Sequence, residues 1–240
     1  MPRLPRLDVP GLPQHLITRG NDRRDMFFSV GDRAFFLQYL DEARLEHGVH
    51  IHAYVLMSNH VHLLATGETS FALSRMMRDV GRRYVQHVNA IHGRTGTLFE
   101  GRFKSCLVET GLYFLTCMRY IEMNPVRARM AAEPSRYRWS SFKENASGTP
   151  SGILTPHPEY LALGRSAKAR RDAYLRIFEE TVGVEQLQAI RESTNMCRAL
   201  GSPRFVTALE ATLRRRVSVV PRGRPSCRTQ PVPFFDEKGT

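Results

Sequence analysis

The sequence has few cysteines, and none of them lie close to another. The four are Cys106, Cys117, Cys197 and Cys227, and no two of them have the short spacing that a zinc knuckle needs. This spacing excludes a small zinc-binding module and argues against a scaffold held by disulfides. We therefore expect free thiols in a reducing compartment.

Long apolar runs are also missing. A membrane-spanning helix needs roughly eighteen consecutive apolar residues, and the sequence has no such run. The first residues, MPRLPRLDVPGLPQHL, carry prolines and charges where a secretory signal needs an apolar segment. These features predict a soluble protein in the cytoplasm, without a membrane segment.

Acidic residues are scarce relative to basic ones. Lys and Arg number 35 against 23 Asp and Glu, which gives a net charge of +12. Most of the basic residues are arginine, whose guanidinium group binds phosphate and stacks on bases. The basic residues are spread along the chain, so we expect a polyanionic partner such as nucleic acid.

The hydrophobic pattern of the first 142 residues predicts alternating strands and helices. The predicted strands cover residues 14–19, 49–57, 60–66 and 101–109, and the predicted helices cover residues 32–47, 71–92 and 111–123. The order β-α-β-β-α-β-α is typical of an α+β, ferredoxin-like fold, in which helices pack against an antiparallel sheet.

The remainder of the chain is predicted to be a separate helical region. Residues 143–158 are rich in Gly, Ser, Thr and Pro and are predicted to be a linker, and residues 159–220 are predicted to contain helices at 166–182, 185–200 and 202–216. The last two helices are candidates for a DNA-binding helix-turn-helix. We expect this region to add DNA affinity without taking part in chemistry. Residues 221–240 are predicted to be a disordered basic tail.

The segment LMSNHVHLLAT, residues 56–66, places two histidines one residue apart in a predicted strand. Alternate residues of a strand share a face, so His60, His62 and Leu64 are expected on one face of the sheet. Val61 and Leu63 are expected on the other. Two imidazoles side by side are able to bind one metal ion. Two packed, hydrogen-bonded histidines with no chemical role are the alternative, which the spacing alone does not exclude.

A second candidate segment is YFLTCMRYIEMNP, residues 113–125. Tyr120 and Asn124 are four residues apart and therefore share a helix face, with Tyr113 about two turns before Tyr120. If this face covers the two histidines, a divalent ion is able to orient a phosphodiester beside a tyrosine nucleophile. Tyr120 as an ordinary core residue and Asn124 as a helix-terminal residue are the alternatives.

The segments LMSNHVHLL, GTLFEGRFKS, YIEMNPVRA and YRWSS occur in this order, after ITRGNDRRDMFF near the start. Together they resemble the single-tyrosine transposases of the HUH nuclease superfamily, and in particular the REP-associated tyrosine transposases, over about residues 10–142. The resemblance implies a DNA transposase or nickase that cleaves and rejoins single-stranded DNA near hairpins through a 5′-phosphotyrosine intermediate. It implies Tyr120 as the nucleophile, with Tyr113 as the second candidate.

The resemblance also implies a metal centre. His60 and His62 would bind Mg²⁺ or Mn²⁺ together with Asn124, a position at which mobile-element relatives often have glutamine. The partner would be single-stranded or hairpin DNA, bound by a monomer or a homodimer. The protein would then be associated with the nucleoid. A domesticated hairpin-binding regulator without catalysis is the alternative. A zinc hydrolase is less consistent, because Glu122 faces away from Tyr120 on the predicted helix.

Several basic and aromatic residues are candidates for DNA binding. The basic residues in and after the predicted helix 71–92 would contact phosphates. Phe99 and Phe103 are candidates for base stacking. In the tail, PRGRPS at residues 221–226 resembles the core of an AT-hook, a short motif that binds the minor groove. The candidate phosphate-binding and groove-binding residues are Arg75, Arg78, Arg82, Arg102, Lys104, Arg222 and Arg224.

Overall fold

The computed structural model describes residues 6–149, 152–179 and 183–219. Its centre is a five-stranded sheet with the order β2-β3-β1-β4-β5. The strands are β1 (Pro13–Arg19), β2 (Val49–Leu56), β3 (His60–Gly67), β4 (Lys104–Val108) and β5 (Ala199–Leu200). The first four pair in an antiparallel manner, and β5 adds to the edge of β4 in parallel.

Two long helices cover one face of the sheet. They are α1 (Val30–His47) and α2 (Ala72–Ile91). A reciprocal hydrogen-bonded cap between Ser29 and Asp32 starts α1, and Gly48 ends it in the left-handed conformation with φ of 61°. The order β1-α1-β2-β3-α2-β4 and the strand arrangement confirm the predicted ferredoxin-like α+β fold.

The remaining α-helices all follow β4 in the chain. These are α3 (Leu112–Glu122), α4 (Asn124–Arg127), α5 (Phe142–Ser147), α6 (Pro158–Leu161), α7 (Ala167–Glu179), α8 (Val184–Met196) and α9 (Pro203–Leu213). α3 ends at Glu122, one residue before the predicted end of this helix, and it contacts β2, β3 and β4. α8 contacts β4 and β1. The second face of the sheet is therefore covered by helices from both halves of the chain.

The predicted facing pattern of β3 is confirmed. Val61 and Leu63 pack in the core beneath α1 and α2, whereas Leu64 packs in the separate core beneath α3. This alternation places His60 and His62 on the α3 side, because they share a face with Leu64.

The segment predicted to be a linker is more ordered than its composition suggests. Its first residues belong to α5, and further along Thr155 donates a backbone hydrogen bond of 2.7 Å to the carbonyl of Ile51 on β2. β2 is the edge strand of the sheet, so its unpaired backbone groups provide the partners that hold this segment. The proposed division into domains at residues 142, 158 and 220 stays a prediction.

The C-terminal helices do not stand apart from the sheet. α8 ends at Met196, Cys197 adopts the left-handed conformation, and β5 then pairs with β4 before α9 begins. The predicted helix 185–200 is therefore shorter, and a strand lies between the two helices of the expected helix-turn-helix. Ser202 caps α9, because its side chain accepts a hydrogen bond from the backbone N–H of Phe205. The predicted disordered tail and AT-hook lie outside the described residues.

Among the helices that the structure describes, none is both long enough and apolar enough to cross a membrane.

Candidate active site

The two histidines of β3 lie at the wall of a cleft on the α3 side of the sheet. Pairing of β3 with β1 sets Ile17 opposite His62 and Arg19 opposite His60. α3 and α4 form the opposite wall, and α8 forms the third side. The cleft has a volume of about 310 Å³, and its polar lining residues are His15, Arg19, His60, His62, Tyr120, Asn124, Arg127, Arg191, Thr194 and Asn195.

Burial keeps the imidazoles of this cleft neutral. Burial lowers the pKa of His60 to about 4, with a smaller contribution from the charge of Arg19. The pKa of His62 also falls well below 6.5, chiefly through burial and then through the neighbouring His15 and His60. Neutral imidazoles at physiological pH retain the lone pair that a metal ligand requires.

Hydrogen bonds orient the rings. His60 Nδ1 lies 2.6 Å from Asn59 Oδ1, while Asn59 Nδ2 donates a bond of 2.8 Å to the carbonyl of Arg23. The amide orientation makes Asn59 Oδ1 an acceptor, so His60 Nδ1 carries the proton and Nε2 carries the lone pair. His62 Nδ1 lies 2.8 Å from His15 Nε2 in the same manner. A ligating histidine is commonly held by a hydrogen bond at its other nitrogen.

Asn124 presents its oxygen rather than its nitrogen to the cleft. Its Nδ2 lies 3.2 Å from the carbonyl of Tyr120 and 3.3 Å from that of Ile121. Carbonyl oxygens only accept hydrogen bonds, so the amide nitrogen must face the helix and Oδ1 remains available. Two imidazole nitrogens and one amide oxygen form a donor set that suits a divalent cation such as Mn²⁺.

Tyr120 contacts the histidines through its ring. Its ring centre lies 5.8 Å from that of His62 and 5.8 Å from that of His15, and both contacts are edge-on. The guanidinium of Arg127 lies over the opposite side, 4.3 Å from the ring centre. Tyr113 is not among the residues that line the cleft. The structure therefore brings Tyr120 together with His60, His62 and Asn124.

Glu122 faces away from the cleft, as predicted. It is fully buried and accepts hydrogen bonds from Ser141, Asn145 and Tyr174. Burial raises its pKa to about 7, although these bonds act in the opposite direction. Glu122 joins α3 to α5 and α7 and has no position from which to act on a group in the cleft.

Four of the predicted DNA-binding arginines line a groove on the opposite side of the sheet. The groove has a volume of about 510 Å³, and α2 and the residues just before β4 form its walls. It is lined by Arg75, Arg78, Arg82 and Arg102 together with Arg6, Phe71, Phe99 and Phe103. Lys104 lies elsewhere, with Nζ 3.4 Å from Asn195 Oδ1 at the rim of the cleft. Arg222 and Arg224 are outside the described residues.

Phe71 is a groove residue that the sequence pattern does not reveal. It is 59% exposed, and its φ of 62° is rare for a bulky side chain. The backbone N–H of Phe71 donates a hydrogen bond of 2.7 Å to Asp8 Oδ2, which holds this conformation. Phe103, by contrast, has its ring covered by the guanidinium of Arg6 at 3.7 Å. Phe71 is therefore the more accessible surface for base stacking.

The described residues also contain a Glu46, His47 and Asp79 group whose donor atoms lie within 4.8 Å of one another. His47 Nε2 lies 2.7 Å from Asp79 Oδ2, and Arg78 lies 3.2 Å from the other oxygen of Asp79. These ion pairs account for the arrangement, which lies on α1 and α2 rather than on the elements around the cleft.

Other cleft residues were missed in the sequence because they lie far apart in it. His15, Arg19, Arg127, Arg191 and Thr194 meet only in the folded chain. The sequence gives a weak indication for His15 and Arg19, since they share a face with Ile17 in the predicted strand 14–19. No local pattern indicates Thr194.

Comparison with known families indicates a transposase-type domain. Residues 8–124 match the family described as Transposase IS200 like. This match confirms the resemblance to transposases that the sequence motifs indicate.

Several solved structures match the chain, and one of them illustrates the shared fold. It is the structure of a REP-associated tyrosine transposase bound to a REP hairpin. The two chains are 16% identical, with a TM-score of 0.53, and the match covers 65% of this chain and 89% of the other. No curated protein matches the sequence.

Proposed function

We propose that this protein is a metal-dependent DNA transposase or nickase that cleaves and rejoins single-stranded DNA near hairpins through a 5′-phosphotyrosine. The observation that carries the proposal is the meeting of Tyr120 with His60, His62 and Asn124 in one basic cleft. A core tyrosine would not require two neutral imidazoles and an unpaired amide oxygen around it.

His60 Nε2, His62 Nε2 and Asn124 Oδ1 are the proposed ligands for Mg²⁺ or Mn²⁺. When bound, the cation supplies a Lewis acid that draws electron density from a phosphate oxygen. The donor chemistry fits, because burial and hydrogen bonds keep both imidazoles neutral with Nε2 free.

Tyr120 is the proposed nucleophile. Its hydroxyl oxygen forms a bond to phosphorus as its proton passes to solvent water, and the bond between phosphorus and the 3′ oxygen of the preceding nucleotide breaks. That oxygen takes up a proton and becomes a free 3′-OH, while the 5′ phosphate stays on Tyr120. Attack of a 3′-OH on this linkage reverses the reaction and rejoins the strand without an external energy source.

Arg127 is the proposed electrostatic partner of Tyr120. Burial lowers the pKa of its guanidinium to about 10, so the group stays protonated at neutral pH. Its position over the phenol places a positive charge beside the oxygen that becomes negative and beside the attacked phosphate.

The groove on the opposite side is the proposed binding site for the DNA substrate. Its arginines provide contacts to phosphates, and Phe71 provides an exposed ring on which an unpaired base is able to stack. The fold neighbour was solved with a REP hairpin, which supports hairpin DNA as the substrate to test first.

The deciding experiment uses the full chain, Mn²⁺ and a hairpin oligonucleotide with a single-stranded flank, labelled at its 3′ end. The expected result is a protein–DNA adduct that survives denaturing electrophoresis. Tyr120→Phe removes one hydroxyl and should abolish the adduct while hairpin binding persists. Tyr113→Phe is the matched control and should retain the adduct.

A normal adduct in Tyr120→Phe would overturn the assignment of the nucleophile. Hairpin binding without an adduct in the unaltered protein would instead support the non-catalytic regulator.

A further inference from the structure

The C-terminal helix α8 supplies one end of a buried hydrogen-bond chain that leads to the metal-binding histidines. Thr194 Oγ1 lies 2.8 Å from His15 Nδ1, and His15 Nε2 lies 2.8 Å from His62 Nδ1. Thr194, His15 and His62 are all at most 4% exposed. Thr194 lies well beyond the matched family segment of residues 8–124.

The donor and acceptor of each hydrogen bond in this chain follow from the Ile190 carbonyl, a group that is able only to accept. Thr194 Oγ1 donates its hydrogen to the carbonyl of Ile190 at 2.8 Å, because a carbonyl only accepts. The hydroxyl oxygen then accepts from His15, which must carry its proton on Nδ1. A neutral imidazole has one donor and one acceptor, so His15 Nε2 accepts from His62 Nδ1. The remaining lone pair of His62 lies on Nε2.

The contact between Cys106 and Thr194 agrees with these donor and acceptor assignments. Its Sγ lies 3.3 Å from Thr194 Oγ1, and burial raises the pKa of the thiol to about 12. The thiol therefore keeps its proton and is able to donate to the second lone pair of the Thr194 oxygen. That leaves the Thr194 hydrogen for the Ile190 carbonyl.

The surrounding fold holds the chain in place. The ring of His15 stacks on that of His62, with centres 5.0 Å apart and an angle of 18°. Ile190 is buried in the core beneath α3, and β5 ties the end of α8 to β4. Thr194 is consequently fixed relative to β1 and β3 by packing on both sides.

We propose that Thr194, acting through His15, is a positioning residue that holds His62 in the tautomer that presents Nε2 to the metal. The inference rests on the proposed function, since it presupposes a metal at His60 and His62. It also changes the expected role of the C-terminal region, which was predicted to contribute nothing to chemistry.

The test combines metal affinity with a direct reading of the tautomer in the full chain without DNA. Mn²⁺ affinity is measured by calorimetry, and long-range ¹H–¹⁵N correlation spectra of histidine-labelled protein report which ring nitrogen carries the proton. Thr194→Val removes the hydroxyl at nearly constant shape. It should weaken Mn²⁺ binding about 10- to 100-fold, as loss of such outer partners commonly does, and give His62 mixed tautomer signals.

Two controls separate this role from simple packing. Thr194→Ser keeps the hydroxyl and should restore both readings to those of the unaltered protein. Thr207→Val removes a comparable hydroxyl in α9, where Thr207 Oγ1 bonds to the carbonyl of Pro203 at 2.9 Å, and it should change neither reading.

A second pair of variants covers the case in which Thr194→Val fails to fold. His15→Leu removes the acceptor for His62 Nδ1 and should lower Mn²⁺ affinity, whereas His15→Gln offers an amide oxygen there and should retain more of it. Unchanged affinity and an unchanged His62 tautomer in Thr194→Val, or in His15→Leu, would overturn the inference.

Failure of the proposed function is distinguishable from failure of the inference. If the His60→Ala/His62→Ala double variant still binds Mn²⁺ normally, the metal site itself is wrong. If that variant loses binding while Thr194→Val does not, only the role of Thr194 is wrong.

Discussion

Arg127 contacts Tyr120 twice. Its guanidinium lies 4.3 Å from the centre of the phenol ring, and its Nη2 donates a hydrogen bond of 2.5 Å to the Tyr120 carbonyl oxygen. The second contact ties the guanidinium to the helix that carries Tyr120, the proposed nucleophile. The charge therefore moves with Tyr120 if α3 shifts when DNA binds.

Arg127→Ala should lower the cleavage rate by roughly 100-fold, because it removes a positive charge from the reacting phosphate. Hairpin affinity should change little, since the groove is on the other side of the sheet. Single-turnover cleavage assays measure the rate. Arg129→Ala removes the same charge from an exposed neighbouring site and serves as the control. Equal losses in the two variants would show that only overall charge matters.

The His60→Ala/His62→Ala variant should lose Mn²⁺ binding by calorimetry. The two imidazole nitrogens are the strongest donors in the proposed set, and one amide oxygen is a weak ligand alone. His50→Ala is the control, because His50 pairs with Glu68 at 2.8 Å on β2 and does not line the cleft. Circular dichroism checks that the fold is retained. Unaltered Mn²⁺ binding in this variant would contradict the proposal that His60 and His62 bind the metal.

Arg78→Ala and Arg82→Ala should weaken hairpin binding and make it less dependent on salt. Each lost phosphate contact should reduce the slope of log affinity against log salt by about 0.9. Arg83→Ala is the matched control on α2, since Arg83 binds Glu42 and stacks on Tyr39 instead of lining the groove. Fluorescence anisotropy at several salt concentrations measures the slope. A larger change in Arg83→Ala would place the DNA elsewhere.

Phe71→Ala should weaken the same binding by about 1–3 kcal/mol while the salt slope stays constant, because stacking involves no release of counterions. The substitution keeps a non-glycine residue at the left-handed position, so the backbone cost is nearly unchanged. The same anisotropy titration separates the two effects. A reduced slope would indicate that the loop itself had moved.

Glu122 should make the protein less stable as the pH rises. Its folded-state pKa of about 7 exceeds the ordinary value of 4.5, so between these values the folded state holds more protons than the unfolded state. The free energy of unfolding therefore falls as pH increases across this window, by on the order of 3 kcal/mol.

Glu122→Gln should flatten this dependence, because it removes the titrating group and retains an amide oxygen for Ser141 and Asn145. Urea unfolding from pH 5 to pH 8 measures the effect. Glu185→Gln, on an exposed turn of α8, should leave the slope as it is. A persistent slope in Glu122→Gln would assign it to another group.

The sequence by itself determined the domain fold and the face that carries the two histidines. Alternation along residues 60–64 is a local property, because successive side chains of a strand must point to opposite sides. The separation of Tyr120 from Asn124 is equally local, since four residues make about one helical turn. Local periodicity therefore specified each half of the cleft.

Only the tertiary structure decided how these halves meet and what supports them. The contact of His15 with His62 depends on the register between β1 and β3, and that of Thr194 with His15 depends on the docking of α8. The predicted linker likewise became ordered because the edge of β2 offered backbone partners. Such contacts join residues far apart in the chain, and they arise from burial and backbone pairing that no local pattern records.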